Sequence, residues 1–473
     1  MTTKITPDTY RSYRNLPPLA GLCTLAQAAK PGLSIEACTT RLKEIHYALK
    51  RLQEILTARI TSEPIYELKT GFAHHAHLCA EHADALRTRV GEMREPPLGL
   101  EAVPHPAWEI FFDEILAART TEELLVGLYD HAMPELHSLM FHYSEDTNPL
   151  TDAPSRRVLR FAMLEVEDMI DFGEASVDAL VTPDFRTGFH EWEELLQNCL
   201  KAVDGKIPVE SLERQYSATP YVYDPLPKRD ERWKDQWNQG VNAEAFLYDE
   251  NMPAKAKALM MLFKRIREVD VPEMMSSILT QTKGKPSKYY RDMTRQMWDE
   301  ARHAMMGEVG FVALGVDWTA ARITFNWSMR LNTECTPMER HAVLYFIEQG
   351  LMPRTGKRYE WEVAQESGIP LMATIQDFDW ADEVLHAAIG RQWYIPEFGH
   401  INKALEYGDK CWSKITSNWQ EVREKGLTSH ENWWPALYSQ ACKAWGATAD
   451  AKALAFATTY DGKRADLKEI HAD

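Results

Sequence analysis

Asp299-Glu300-Ala301-Arg302-His303 and Asp382-Glu383-Val384-Leu385-His386 each set a carboxylate and an imidazole three residues apart. On a helix that spacing is one face and one turn, the geometry with which two side chains grip one metal ion. Glu-x-x-His alone is a weak signal in a chain with 16 His among 473 residues, and a third copy, Glu397 to His400, lies in a Pro/Gly-flanked stretch that does not read as helical. The preceding Asp makes the pair informative. Asp-Glu occurs at five places, led by Asp113, Asp230, Asp249, Asp299 and Asp382, and at that His frequency a His three places after the Glu should follow in far fewer than one of them. It follows in two.

Outward from these strings the text is helical. Apolar residues recur at three and four spacing, few runs alternate as half-buried strands do, and the chain reads as all-α. The periodicity predicts helices over about 253–282, 287–314, 337–366 and 370–395. Pro286, Pro337 and Pro370 stand at or just before the predicted starts, where a missing N–H costs nothing, and Gly284 and Gly368 stand in the gaps. This is a pattern of two helical hairpins. The N-terminal half predicts four more helices, about 35–57, 65–90, 121–143 and 155–180. Between the halves, 204–251 is rich in Pro, Tyr, Lys, Asp and Trp with little periodicity, as connectors are. The expected division is an N-terminal helical bundle over 1–203, a linker over 204–251, a four-helix bundle over 252–400 and a helical C-terminal extension over 401–473. Val166-Glu167-Asp168-Met169 echoes Ala381-Asp382-Glu383-Val384 in the corresponding slot, and Leu128-Tyr129 echoes Leu344-Tyr345, so the first half also reads as a diverged repeat that has lost its ligands.

Two Glu-x-x-His helices supply four ligands, and two divalent ions held together need more negative charge than two carboxylates carry. A bundle of this kind draws one further Glu from each remaining helix. In the second hairpin the candidate is Glu348, a carboxylate on an apolar stripe with Leu344, Tyr345, Leu351 and Met352, where an unpaired charge is normally avoided. In the first hairpin both Glu268 and Glu273 precede Glu300. Lys264 and Arg265 one turn before Glu268 read as a solvated face, whereas Ile266 and Val269 lie behind Glu273, which favours Glu273; equal distance from the turn, at about 1.5 Å per residue, favours Glu268. Glu273 is the preferred reading and Glu268 the open alternative.

The order Glu, Asp-Glu-x-x-His, Glu, Asp-Glu-x-x-His resembles the ferritin-like non-heme di-iron carboxylate proteins, and Asp-Glu-Ala-Arg-His resembles the Asp-Glu-x-Arg-His signature of bacterial multicomponent monooxygenase hydroxylases. The resemblance covers about 253–395. It implies a ferritin-like four-helix bundle in which Glu273, Glu300, His303, Glu348, Glu383 and His386 hold two Fe ions or an Mn/Fe pair, with Asp299 and Asp382 orienting the His rings as acceptors. The second copy carries Leu385 where the monooxygenase pattern has Arg, so the resemblance reaches the superfamily and not hydrocarbon hydroxylation. It implies an oxidase or oxygenase that uses O2 on a small organic substrate. Asp379, one turn before Glu383, is similar to an extra ligand of arylamine N-oxygenases, which makes an N-oxygenase the alternative; a ferritin-like protein that binds metal without turnover is another. An oxygenase takes two external electrons per turnover. With no flavin or nicotinamide fingerprint in the chain, a ferredoxin or reductase is the expected donor, beside the substrate and a second copy of the chain as partners.

Composition bounds the rest. Lys+Arg 53 against Asp+Glu 70 give a net charge of -17, which disfavours nucleic acid and anionic membrane. Residues Met1 to Tyr13 have no apolar core of the signal-peptide kind, and the longest apolar run, Ala258 to Phe263, is too short to span a bilayer, so a cytoplasmic protein is expected. Seven scattered Cys without a Cys-x-x-Cys indicate neither zinc knuckle nor disulfide framework. His74, His75, His77 and His82 with Glu81 span more than one helical face and read as a helix-surface or interface cluster. Tyr345 reads as core, and Trp298, Phe378 and Trp380 as core or as the wall of a substrate pocket.

Overall fold

The computed structural model of the chain describes residues 5–94, 99–238, 240–324, 326–416 and 419–459. Every regular element among them is helical, and no helix among them is long and apolar enough to cross a membrane. The described residues up to Leu56 and His75–Val222 form one compact unit; Thr57–His74 and the described residues from Tyr223 onward form another.

The first unit is built from most of α1 (Ile35–Ser62) and α2 (Tyr66–Glu92) with α3 (Pro106–Leu116), α4 (Met133–Asp146), α5 (Ala153–Leu180) and α6 (His190–Val203). The expected helix over 121–143 is interrupted by a wide-turn segment, Val126–Ala132, ahead of α4. Trp108, Tyr129, Tyr143 and Trp192 are its largest buried side chains. Two of the clustered His residues have ordinary partners here: His75 Nδ1 meets Tyr129 Oη at 2.8 Å and His82 Nε2 meets Glu165 at 2.6 Å.

The second unit holds α7 (Ala254–Arg267), α8 (Asp270–Gln281), α9 (Ser287–Ala313), α10 (Asn326–Glu334), α11 (Pro337–Gly350), α12 (Lys357–Glu366), α13 (Pro370–Trp393), α14 (Ile401–Thr416) and α15 (Trp434–Ala444). The helix α9 packs on α7, α8 and α13, while α13 also packs on α11 and α12. Contact between α7 and α9 is close because Gly307 has no side chain: a Cβ there would lie 2.4 Å from the Ile266 nitrogen. The C-terminal helices belong to the same unit, with Trp412, Trp433 and Trp434 buried; residues 460–473 of the expected extension lie outside the described residues.

Two expected helices are each two. The segment 253–282 breaks at Glu268 and Val269, between α7 and α8. The cause is Pro272, whose ring lacks the N–H that would reach the Glu268 carbonyl and collides with that carbonyl in a continuous helix. The segment 337–366 breaks over 351–356, where Pro353 and Gly356 end one helix and start the next. At Gly356 a Cβ would lie 2.2 Å from the Leu351 carbonyl oxygen, so the turn that delivers Lys357 requires glycine.

Candidate metal centre

The α7/α8 break decides which carboxylate faces inward. Glu268, at the C-cap of α7, lies beside α9 and α13. Glu273, five residues later on α8, meets Lys69, Arg229 and Ser328 instead. Two overlapping groups of ligating atoms result: Glu268, His303, Asp379 and Glu383, and Glu300, Glu348, Glu383 and His386, the atoms of each group lying within 4.8 Å of one another. Glu383 belongs to both. Among the described residues, neither group draws a side chain from the first unit.

Thus Glu300, His303, Glu348, Glu383 and His386 are brought together, and Glu273 is not. Glu273 Oε1 accepts from Lys69 Nζ at 2.6 Å and Arg229 Nε at 3.1 Å; its Oε2 accepts from Arg229 at 2.8 Å and Ser328 at 2.8 Å. Burial pushes its carboxyl up, but Arg229 and Lys69 outweigh this and hold it at about 2. Asp270, which shares Arg229 and Ser328 with it, is pushed up to about 6 by burial and by the Glu273 charge.

The imidazoles are held crosswise. His303 on α9 donates from Nε2 to Asp382 of α13 at 3.1 Å, and His386 on α13 points Nε2 at Asp299 of α9 at 3.4 Å. Arg302 ties the two carboxylates together, donating to both at 2.6 Å. With Nε2 engaged, each ring turns Nδ1 inward. His303 Nδ1 lies 3.4 Å from Glu268, 3.5 Å from Asp379 and 3.7 Å from Glu300. His386 Nδ1 lies 3.2 Å from Glu300 and 3.6 Å from Glu383.

These inward atoms are close without being bonded. His303 Nδ1, His386 Nδ1, Glu268 Oε2 and Glu383 Oε2 are buried with no hydrogen-bond partner. A buried polar atom in that condition calls for an ion or a water to complete it, and these four, two imidazole and two carboxylate, lie in the two groups that share Glu383 and are donors of the kind that divalent metal ions take.

The charges agree with that fit. Burial alone would lower His303, yet Asp382, Glu268 and Glu300 raise it to about 10; His386 is raised well above its ordinary value, where Asp299, Glu300 and Glu383 override the effect of burial. Burial and the adjacent Glu383 and Glu300 push the Glu348 carboxyl well up. Glu268 and Glu383 are held low against burial by Arg265 and Lys357 respectively.

Sequence reasoning took Arg265 for a solvated residue and passed over Lys357. The Arg265 side chain is 1% exposed; it bonds Glu268 at 2.8 Å and contacts Asp379. Lys264, read as marking a solvated face, is also buried and pairs with Glu360. Lys357 Nζ donates to both Asp379 oxygens, at 2.9 and 3.0 Å, and lies 2.8 Å from Glu383. Gln296 adds a donor to Glu348 at 3.1 Å. Arg302 was visible inside the first quoted string; Lys357 comes from a separate helix and left no local signal.

A cavity of about 70 Å³ opens beside the carboxylates of Glu268, Glu300, Glu348 and Glu383, and Met274, Leu331, Leu344, Ile347, Trp327 and Trp412 are among its other walls. Its aromatic lining is therefore Trp327 and Trp412. Phe378 is 61% exposed, and Trp298 stacks on His74 at 4.9 Å and lies under the guanidinium groups of Arg295 and Arg302. Tyr345 donates to Gln349 at 3.2 Å.

No family model, curated protein or solved structure matches this chain.

Proposed function

We propose that the second unit is a ferritin-like non-heme di-metal oxidoreductase that uses O2 on a small, largely apolar organic molecule. The observation that carries the reading is the pair of four-donor groups sharing Glu383, with four buried ligating atoms left without partners. Glu268, His303, Asp379 and Glu383 would hold one ion, and Glu300, Glu348, Glu383 and His386 the other. Two iron ions, or an Mn/Fe pair, would supply the redox chemistry.

The protein's own part is orientation and exclusion. Asp299 and Asp382 fix the imidazole tautomers with Nδ1 inward, and Arg302 locks the two acceptors into one frame, the supporting shell that such ligands need. Gln296 orients Glu348. The apolar walls at Leu331, Leu344 and Ile347 present hydrocarbon to a substrate and keep bulk water from the carboxylates. Electrons for an oxygenase come from a ferredoxin or reductase in this reading. The place of Asp379 among the ligating atoms favours N-oxygenation as the second reading.

The test is to add Fe(II) anaerobically to the full-length protein, count metal per chain, then admit O2 and follow absorbance. Two metals per chain and a transient band are expected. Fewer than two, with the count unchanged by Glu300→Ala or His386→Ala, would sink the di-metal reading.

A further inference from the structure

Lys357 makes the two halves of the site unequal, and the inference drawn from it rests on the metal reading above. Its ammonium is buried, 1% exposed, against Asp379 and Glu383. Asp379 belongs only to the group with Glu268 and His303, and Glu383 is the carboxylate that both groups share. In that first group Arg265 also bonds Glu268 and contacts Asp379, so all three carboxylates there already face a fixed cation. Among the described residues the second group forms an ion pair with a Lys or Arg only at Glu383; Glu348 has the neutral Gln296. Among the described residues Glu300 and Glu348 form no ion pair with a Lys or Arg, while an ion entering the first group must take oxygens that an ammonium holds at 2.8–3.0 Å.

We propose that Lys357 is a built-in competitor for the Glu268–His303–Asp379–Glu383 position, so that the site loads its Glu300–Glu348–His386 position first and admits a second ion only when Lys357 withdraws. Lys357 is the first residue of α12, directly after the 351–356 turn, so the withdrawal this proposal requires falls on a flexible four-carbon stem at a helix start and not inside α9, α11 or α13. Arg265 lies inside α7, against Glu360 as well, and stays. One unit charge at ion-pair distance from two of the oxygens should separate the two stepwise dissociation constants by about tenfold, which is about 1.4 kcal/mol.

The experiment titrates the metal-free full-length protein with Mn(II) alone, reading heat by calorimetry and free Mn(II) by electron paramagnetic resonance. The wild type is expected to bind in two separated steps. Lys357→Met should tighten the second step about tenfold and leave the first within about threefold, and Lys357→Arg should restore the separation. Lys357→Gln, which keeps a hydrogen-bond donor without the charge, reads the same effect if the Met variant does not fold. Equal constants in the wild type, or a second step unmoved in the uncharged variant, overturn this inference while leaving the metal centre standing. No binding by the wild type overturns both.

Discussion

Glu268 and Glu273 are five residues apart, and their substitution separates a ligand from a structural counter-ion. Glu273 is fully buried, and its two oxygens accept from Lys69, Arg229 and Ser328. Glu273→Ala leaves Arg229 with Asp270 and takes from buried Lys69 its ion-pair carboxylate, a break of the kind that costs about 3–5 kcal/mol. Glu268 is half-buried, its side chain 19% exposed, and its fixed partner is Arg265 at 2.8 Å. Allowing for solvent at that position, Glu268→Ala should cost about 1–2 kcal/mol. Metal binding should respond in the opposite order: Glu273→Ala retains two metals per chain, and Glu268→Ala retains one. Urea unfolding of the metal-free proteins, followed by circular dichroism, gives the stability change from the midpoint at constant slope, and elemental analysis after loading gives the count. If Glu273→Ala loses metal at unchanged stability, or Glu268→Ala keeps both metals, the assignment drawn from the α7/α8 break is refuted.

Arg302→Met removes the tie between Asp299 and Asp382 and should weaken metal binding about 10–100-fold, the usual scale for a lost supporting group, while saturating metal still reaches two per chain; a chelator competition titration measures it. Gly307→Ala forces a Cβ onto the Ile266 backbone at 2.4 Å and should lower the stability of the second unit by about 1–3 kcal/mol or more, read from its unfolding midpoint. His46 and His341 are each lowered to about 4, by burial first and by the nearby Arg87 and Lys285 respectively. Both are neutral when folded and titrate near 6.5 when unfolded, so each contributes stability that is complete above pH 6.5 and is lost as pH falls toward 4, up to about 3 kcal/mol per group. His341→Phe should flatten that part of the pH–stability curve, and an unchanged slope would show that His341 is not the group responsible.

The helix positions were legible because periodicity and Pro/Gly punctuation are local signals, and the five clustered residues of α9, α11 and α13 were legible because they sit on three such helices. The break between α7 and α8 was written in Pro272, which a count of apolar spacing alone ignores. Reading Lys264 and Arg265 as a solvated face failed for a definite reason: both point inward, against Glu360 and Asp379. Charged residues near a buried carboxylate carry two meanings in a sequence, and only the partner's position separates them. Distance from the hairpin turn pointed to Glu268 because it depends on backbone rise and not on that ambiguity.

The same unit shows both ways of burying acid. At Glu273 every carboxylate lone-pair direction in use is met by a donor within 3.1 Å, as a purely structural ion pair requires. At the paired clusters two cations, Arg265 and Lys357, lie among five carboxylates, and four candidate ligating atoms remain bare although His303 Nδ1 lies 3.4 Å from Glu268 Oε2 and His386 Nδ1 lies 3.6 Å from Glu383 Oε2. Each such atom costs about 1–3 kcal/mol to bury unsatisfied, and four in one place would take most of the net stability of an ordinary domain. A fold that satisfies Glu273 so fully has the means to satisfy Glu383 as well. Leaving its second oxygen open beside two bare imidazole nitrogens makes physical sense where a bound cation completes the set, and that contrast supports the metal reading more strongly than the Asp-Glu-x-x-His spacing does.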